Sequence, residues 1–201
     1  TLLDADGQEI GRKSHWLSIC DLNLATYLPD LIAAGITSFK IEGRLKDPTY
    51  VANVVSFYRQ QLDRVLTARG AMKSSSGTSI VEFNPDLQKT FHRGYTPYFL
   101  QGRKKPIGSR DTPKMKGESI GKITSIKEGV VQLDTSVILT PGDGICYFTP
   151  EGELLGTGVN QVKGRSFVPE TVGKMRRGTT LYRNHDHAFL TRVKKSKKER
   201  T

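Results

Sequence analysis

Lys40, Glu42 and Arg44 alternate in the run Ser38-Phe39-Lys40-Ile41-Glu42-Gly43-Arg44. On a strand, this alternation puts Lys40 and Glu42 on one face and Phe39 and Ile41 on the other. An inward lysine and glutamate are costly to bury unless they pair or meet a ligand. The group therefore suits the positioning of a polar or anionic substrate. It equally suits a structural Lys–Glu–Arg network closing a strand end. Asp21 follows the apolar run from Trp16 to Cys20, which reads as a buried strand. Asp21 then lies at the same rim or caps the helix that follows.

Three further groups carry chemistry-bearing types. His92-Arg93-Gly94 sits among Phe91, Tyr95, Tyr98 and Phe99, and a His beside an Arg suits a phosphate or a carboxylate. The aromatics there also suit a plug over a domain joint. His185-Asp186-His187 falls short of the three or four ligands a metal needs and reads as a surface connector. Cys20 and Cys146 have no CxxC spacing and read as buried free thiols. No HExxH, GxSxG, P-loop or GxGxxG run occurs. No metal site and no self-contained catalytic set is expected in this chain.

These residues need elements to hold them. Asp6-Gly7 predicts an opening turn. Leu24, Leu28, Leu31 and Ile32 predict a helix over 22–34, with Pro29 in its first regular turn and Gly35 as its stop. Residues 36–42 predict a strand. Asp47-Pro48 predicts a cap and a first helical residue. Val51, Val54, Val55, Tyr58, Leu62, Val65 and Leu66 then form the apolar stripe of a helix to about residue 69. Strand, helix, strand, helix is a βαβα unit of a parallel sheet, which two strands cannot stabilise alone. The further strands are expected from a region preceding Thr1. From Gly117 onward, strands are predicted over 120–126, 130–134, 144–148, 154–162, 166–169 and 179–182, separated by Gly- and Pro-containing turns. Six short strands argue for a small closed barrel, which leaves no exposed edge.

The 201 residues carry 31 Lys+Arg against 20 Asp+Glu, a net charge of +11. Two short segments supply nearly all of it. Residues 101–116 hold six cations against Asp111, and residues 191–201 hold six against Glu199, a net +5 each. Clustered cations beside a near-neutral body suit a polyanion, and they also suit a solvated linker and a frayed tail. Neither segment interleaves aromatics, so base stacking is not expected there. No apolar run reaches membrane-spanning length, so no membrane contact is expected, and two cysteines fit a reducing cytoplasm.

The run SHWLSICDLNLATYLPDLIAAGITSFKIEGRLKDPTYVANVVSFYRQQLDRVL resembles peptidase family U32, the collagenase-like proteases, with LIAAGITSFKIEGRLKDPTYV at its core. KTFHRGYTPYFL and DTPKMKGESIGKI continue the resemblance, which looks closest to the branch acting in ribosomal RNA hydroxylation. It implies a fold of α/β plus all-β class. The last βα units of an incomplete TIM-like barrel would be followed by a small six-stranded β-barrel of the elongation-factor second-domain type. The expected organisation is βα units over 1–72, a loop and basic connector over 73–116, the β-barrel over 117–184 and a basic tail over 185–201.

By the same resemblance, Lys40, Glu42 and Arg44 of the KIEGR element and Asp21 are the candidate catalytic residues at the barrel rim. His92 and Arg93 of the HRG element, with Lys104, Lys105, Arg110 and Lys114, are the candidates for RNA or substrate binding. The resemblance implies an enzyme whose iron–sulfur cluster is held by four cysteines upstream of KIEGR. Cys20 and Cys146 do not match that spacing, so no cofactor is expected in this chain. The expected partners are RNA, ribosomal or transfer, and the missing N-terminal half of the barrel. Peptide hydrolysis and a non-catalytic docking role for residues 117–190 remain the other classes.

Overall fold

The computed structural model describes residues 1–11, 14–73, 76–103, 107–196 and the backbone of 198–200. The chain opens with β1 (Leu2–Leu3) and β2 (Glu9–Gly11), an antiparallel hairpin around the expected Asp6-Gly7 turn. There follow β3 (Asp21–Leu22), α1 (Leu28–Ala33), α2 (Pro48–Ala68), β4 (Ser79–Val81) and β5 (Tyr95–Thr96). The second half contains β6 (Glu118–Lys127), β7 (Val130–Asp134), β8 (Gly144–Phe148), β9 (Leu154–Lys163), β10 (Ser166–Pro169) and β11 (Thr180–His185). The chain closes with α3 (His187–Lys195) and β12 (Lys198–Arg200). No helix is long and apolar enough to cross a membrane.

Strands β6 to β11 form the expected barrel. It closes in the order β10-β7-β6-β11-β8-β9, with every neighbouring pair antiparallel. Local chemistry sets its register. Glu128 and Gly129 both hold positive φ, which makes the β6–β7 turn the mirror-image type that matches strand twist. At Gly121 a Cβ would stand 2.1 Å from the Asp134 carbonyl oxygen, so only glycine lets β6 approach β7 there. Ile120, Ile123, Val131, Leu133, Ile145, Tyr147, Val159, Phe167 and Leu181 fill the interior, and Met175 plugs it from the β10–β11 link.

In the α/β half, α2 matches its expected span. Asp47 accepts from the Thr49 and Tyr50 N–H groups at 2.8 and 3.0 Å, and Pro48 opens the helix. Other elements differ from expectation. The run before Asp21 is a single bridge, Ile19 to Gly108, and the strand is only β3. The helix expected over 22–34 contracts to a 3-10 turn, Ala25–Tyr27, followed by the six residues of α1. Residues 36–43 have no regular secondary structure and belong to no ladder among the described residues. The common reason is lateral. A strand needs neighbours on its edges, and β3 finds one parallel partner, β5, while 36–43 finds none here.

The basic C-terminal segment is not a frayed tail. Val193 of α3 is fully buried and packs with Phe83 and Phe189, and β12 pairs antiparallel with β4. Asp186, expected on a surface connector, is buried and caps α3 by accepting from the Phe189 N–H at 2.8 Å. It belongs to a charge network tying the two halves. Arg183 of β11 reaches Glu118, Asp143 at 3.4 Å and Asp186 at 3.1 Å, and Lys89 pairs with Asp186. Within the α/β half, Asn53 of α2 holds the 86–90 loop, donating to the Asp86 carbonyl at 2.7 Å and to Thr90 Oγ1 at 2.9 Å.

Candidate functional site

The parallel register of β3 and β5 places Asp21 against the HRG element. The Asp21 N–H donates to the Gly94 carbonyl at 2.8 Å. Its carboxylate accepts from the Arg93 N–H at 2.7 Å and from Arg93 Nη2 at 3.0 Å. Asp21 therefore caps neither following helical turn, whose cap positions are Leu24 and Tyr27. It locks the strand end to a charged loop.

Asp21, Lys40 and Glu42 line one hollow of about 410 Å³, walled by Leu28 and by Tyr50, Val54 and Tyr58 of α2. Burial raises the Tyr50 phenol above its ordinary value, and the Asp21 and Glu42 carboxylates raise it further. Both carboxylates thus act on one phenol. Tyr58 accepts from the Leu24 N–H at 3.3 Å and donates to Asn23 Oδ1 at 2.9 Å. Those two bonds fix the wall of the hollow to the chain leaving β3. Phe39 and Ile41 line the same hollow as Lys40 and Glu42. No ladder among the described residues holds 36–43 in a pleat.

The other candidates are placed differently. Arg44 does not line the hollow; its N–H donates to Glu42 Oε1 at 3.0 Å and so aims that carboxylate. His92 is buried, accepts from the Gly94 N–H through Nδ1 at 3.1 Å and stacks on Tyr95 with centroids 4.7 Å apart. Burial lowers the imidazole below its ordinary value, against an opposing pull from the Gln88 backbone and Asp21. A ring stacked on Tyr95 and accepting through Nδ1 orders the loop. Arg93 lines a second hollow of about 650 Å³ with Trp16 and Ser18. Trp16 Nε1, Ser18 Oγ and Arg93 Nε are buried without a hydrogen-bond partner. Ordered water or a polar ligand group would satisfy such donors.

Of the basic candidates, Lys104 and Lys105 lie outside the described residues. The Arg110 guanidinium lies 4.5 Å from the centre of the Trp16 ring, a cation–π contact. Lys114 is exposed. Lys46, just after the KIEGR element, stands with its ammonium 3.4 Å over the Phe91 ring and holds the KIEGR segment to the HRG loop. Sequence reasoning missed Arg183 and Asn53. Their signal is a polar residue at a position where the strand or helix period calls for an apolar one.

Among the described residues, no group of three or more His, Cys, Asp or Glu is arranged to hold a metal ion. The cysteines do not fit a cluster. Cys146 is buried, its thiol is pushed up to about 11 by that burial, and its Sγ donates to the Lys116 carbonyl at 3.4 Å. A thiol so held is a poor thiolate ligand.

Comparison with known proteins places this geometry. The profile of peptidase family U32 matches residues 3–110, just over half of the chain. The chain is 36% identical to the 23S rRNA 5-hydroxycytidine C2501 synthase of Escherichia coli, over all of this chain and 32% of that protein. It is 26% identical to the tRNA hydroxylation protein P of Haemophilus influenzae, over 70% of this chain and 30% of that protein. An uncharacterized protease of Methanocaldococcus jannaschii is 35% identical over 41% of this chain and 19% of its own length. The chain spans about a third of the length of the first two. No solved structure matches it. The chain belongs to peptidase family U32.

Proposed function

We propose that this U32 chain is the C-terminal part of an RNA-modifying enzyme that hydroxylates a nucleobase. Its α/β half supplies the last βα units of a TIM-like barrel. Its β-barrel, of the elongation-factor second-domain type, and its basic segments contact RNA. The observation that carries this reading is the similarity of the whole chain, both halves included, to an rRNA 5-hydroxycytidine synthase. The open hollow supports it. Asp21, Lys40 and Glu42 gather at one wall, while Phe39 and Ile41 beside them keep 36% and 37% of their surface exposed. An enclosing set of strands would cover those apolar groups and satisfy the unpartnered donors of Trp16, Ser18 and Arg93.

The residues present suit the binding of a base and its phosphates. Glu42, aimed by the Arg44 N–H, can accept from an exocyclic amine such as that of cytosine. Lys40 supplies a point charge for a phosphate or a carbonyl oxygen. The Asp21–Arg93 pair sets the spacing of the rim. Replacing C–H by C–OH needs an oxygen donor and a redox centre. The cysteines here do not fit one, so that chemistry belongs to the rest of the protein.

The test is complementation. A bacterial strain lacking the full-length protein is supplied with the natural sequence or with Glu42→Gln, and its ribosomal and transfer RNA are digested and weighed by mass spectrometry. Wild type is expected to restore a nucleoside carrying one extra oxygen. Glu42→Gln is expected to lower its yield by about tenfold or more, the worth of a charged hydrogen bond. RNA of unchanged mass would overturn the reading. Gelatin hydrolysis that Glu42→Gln abolishes would move the chemistry to peptide bonds.

A further inference from the structure

Resting on that RNA reading, we infer that a groove on the outside of the β-barrel is a single-stranded RNA site. In it, Phe148 and Tyr182 stack bases, and Lys174, Arg176 and Arg177 hold the adjoining phosphates. The two basic segments are the obvious electrostatic candidates, but they lack interleaved aromatics. This groove combines both chemistries in about 460 Å³.

The aromatics are surplus to the core. Along β8, Ile145 and Tyr147 enter the barrel interior, so Phe148 faces outward by the period of two. On β11, Leu181 and Arg183 are buried, and Tyr182 between them faces outward. The register pairs Tyr182 with Cys146, two residues from Phe148 on the same strand face. The two rings meet edge to face, with centroids 6.2 Å apart at 83°. Both are half-buried, which leaves ring surface open to a base. Nucleobases stack on such platforms without regard to sequence.

The cations stand on the link between β10 and β11, and the barrel fixes that link. Met175 is buried in the core, so its neighbours Lys174 and Arg176 are thrust outward. The Lys174 N–H donates to the Tyr147 hydroxyl at 2.9 Å, reaching the link from inside the barrel. At the other end, the Gly178 N–H donates to the Ile123 carbonyl at 2.8 Å, and the Ile123 N–H to the Thr179 carbonyl at 2.9 Å. A pinned backbone spares much of the ordering cost of binding. Glu151 is the neighbouring carboxylate. It stands 3.8 Å from Lys174, with both side chains more than half exposed, so water screens the pair. Glu151 also feels the Arg176 charge, but among the described residues no ion pair within 4 Å joins Arg176 or Arg177 to a carboxylate. Lys116, 5.7 Å from the Tyr182 ring centre, extends the positive rim toward the basic connector.

The test measures binding of the full-length protein to a short, unstructured, labelled oligoribonucleotide by fluorescence anisotropy, at about 50 and about 200 mM salt. Arg176→Gln with Arg177→Gln is expected to weaken binding and to flatten the log–log salt slope by about 1.4, two phosphates at about 0.7 each. Phe148→Leu is expected to weaken binding about tenfold or more at both salts and to leave the slope unchanged. If Phe148→Leu fails to fold, ultraviolet crosslinking of an oligouridylate to wild type replaces it, with the crosslink expected on the peptide containing Phe148 or Tyr182. Wild-type binding and slope retained in all variants, or crosslinks confined elsewhere, would overturn this site and leave the RNA reading standing. Wild type that binds no RNA would overturn both. Polyglutamate binding equal to that of RNA would assign the groove to acidic protein and overturn the inference.

Discussion

In the barrel, Val131, Phe167 and Leu181 are at most 1% exposed, and each of six strands has two hydrogen-bonded neighbours. In the α/β half, Phe39, Ile41, Val51 and Val55 are 36–45% exposed, and residues 36–43 join no ladder among the described residues. Both halves are written in apolar periods of similar clarity. They differ in where the partners of each strand lie. Antiparallel strands meet the next strand after a short turn, so the barrel's partners all lie between Glu118 and His185. Parallel strands meet partners a helix or more away, and among the described residues β3 meets a single one, β5. A period thus fixes which face a segment will bury, and topology decides whether anything arrives to cover it.

The largest expected effect tests that contrast directly. Phe167→Ala removes a ring from a closed core and is expected to cost about 3–5 kcal/mol, whereas Val55→Ala on the open face is expected to stay within about 0.5 kcal/mol. Urea unfolding followed by far-UV circular dichroism measures both. Trp16 is the sole tryptophan and lies in the α/β half, so its fluorescence follows that half separately. A Val55→Ala cost as large as that of Phe167→Ala would mean the open face is covered within this chain, and the comparison would break.

The same contrast explains what could be read beforehand. The six barrel strands were legible because alternation, turn residues and pairing partners sit within a few residues of one another. Helix α2 was legible because Asp47, Pro48 and the Val51–Leu66 stripe are all local to it. The strand expected at 36–42 was not realised, since its pleat depends on lateral neighbours the local sequence does not contain. At the site, the gathering of Asp21 with Lys40 and Glu42 was half legible. The residues stand out by type, but Tyr58 looked like core stripe until α2 turned it to the hollow. The Arg183 network was illegible as a network, because Lys89, Glu118, Asp143 and Asp186 are scattered through the sequence and converge only in the fold.

That network joins the two halves, and breaking it is the second test. Arg183→Ala strands Asp143, fully buried, without its cation and leaves Asp186 to Lys89 alone. The expected cost is about 3 kcal/mol, at the low end for buried pairs because Glu118 keeps contact with water. Acid gives a gentler version. Burial pushes the Asp186 carboxyl up, but the Lys89 ammonium, the Phe189 N–H and Arg183 outweigh it and hold the carboxyl below its ordinary value. A depressed carboxyl contributes stability that is full above the unfolded-state value, about 3.9, and is lost as pH falls through the folded value. Wild type is therefore expected to lose stability below about pH 4. Asp186→Asn keeps a capping oxygen for α3, is less stable at neutral pH and falls less steeply in acid. Equal acid limbs in urea titrations at several pH values would remove Asp186 from the junction.

The smallest effect asks whether the α/β half melts as a unit of its own. Asp47 accepts from two N–H groups in the first turn of α2 and from the Thr49 hydroxyl. Burial pushes its carboxyl up, and the Thr49 hydroxyl with the Tyr50 and Thr49 N–H groups brings it below its ordinary value. Asp47→Ala is expected to cost about 1 kcal/mol, and Asp47→Asn, which still caps, a few tenths. If the halves are as unequal as their cores, the loss appears in the Trp16 transition and leaves the barrel transition where it was. If the Lys89–Asp186–Arg183 network couples them fully, both probes shift together by the same amount.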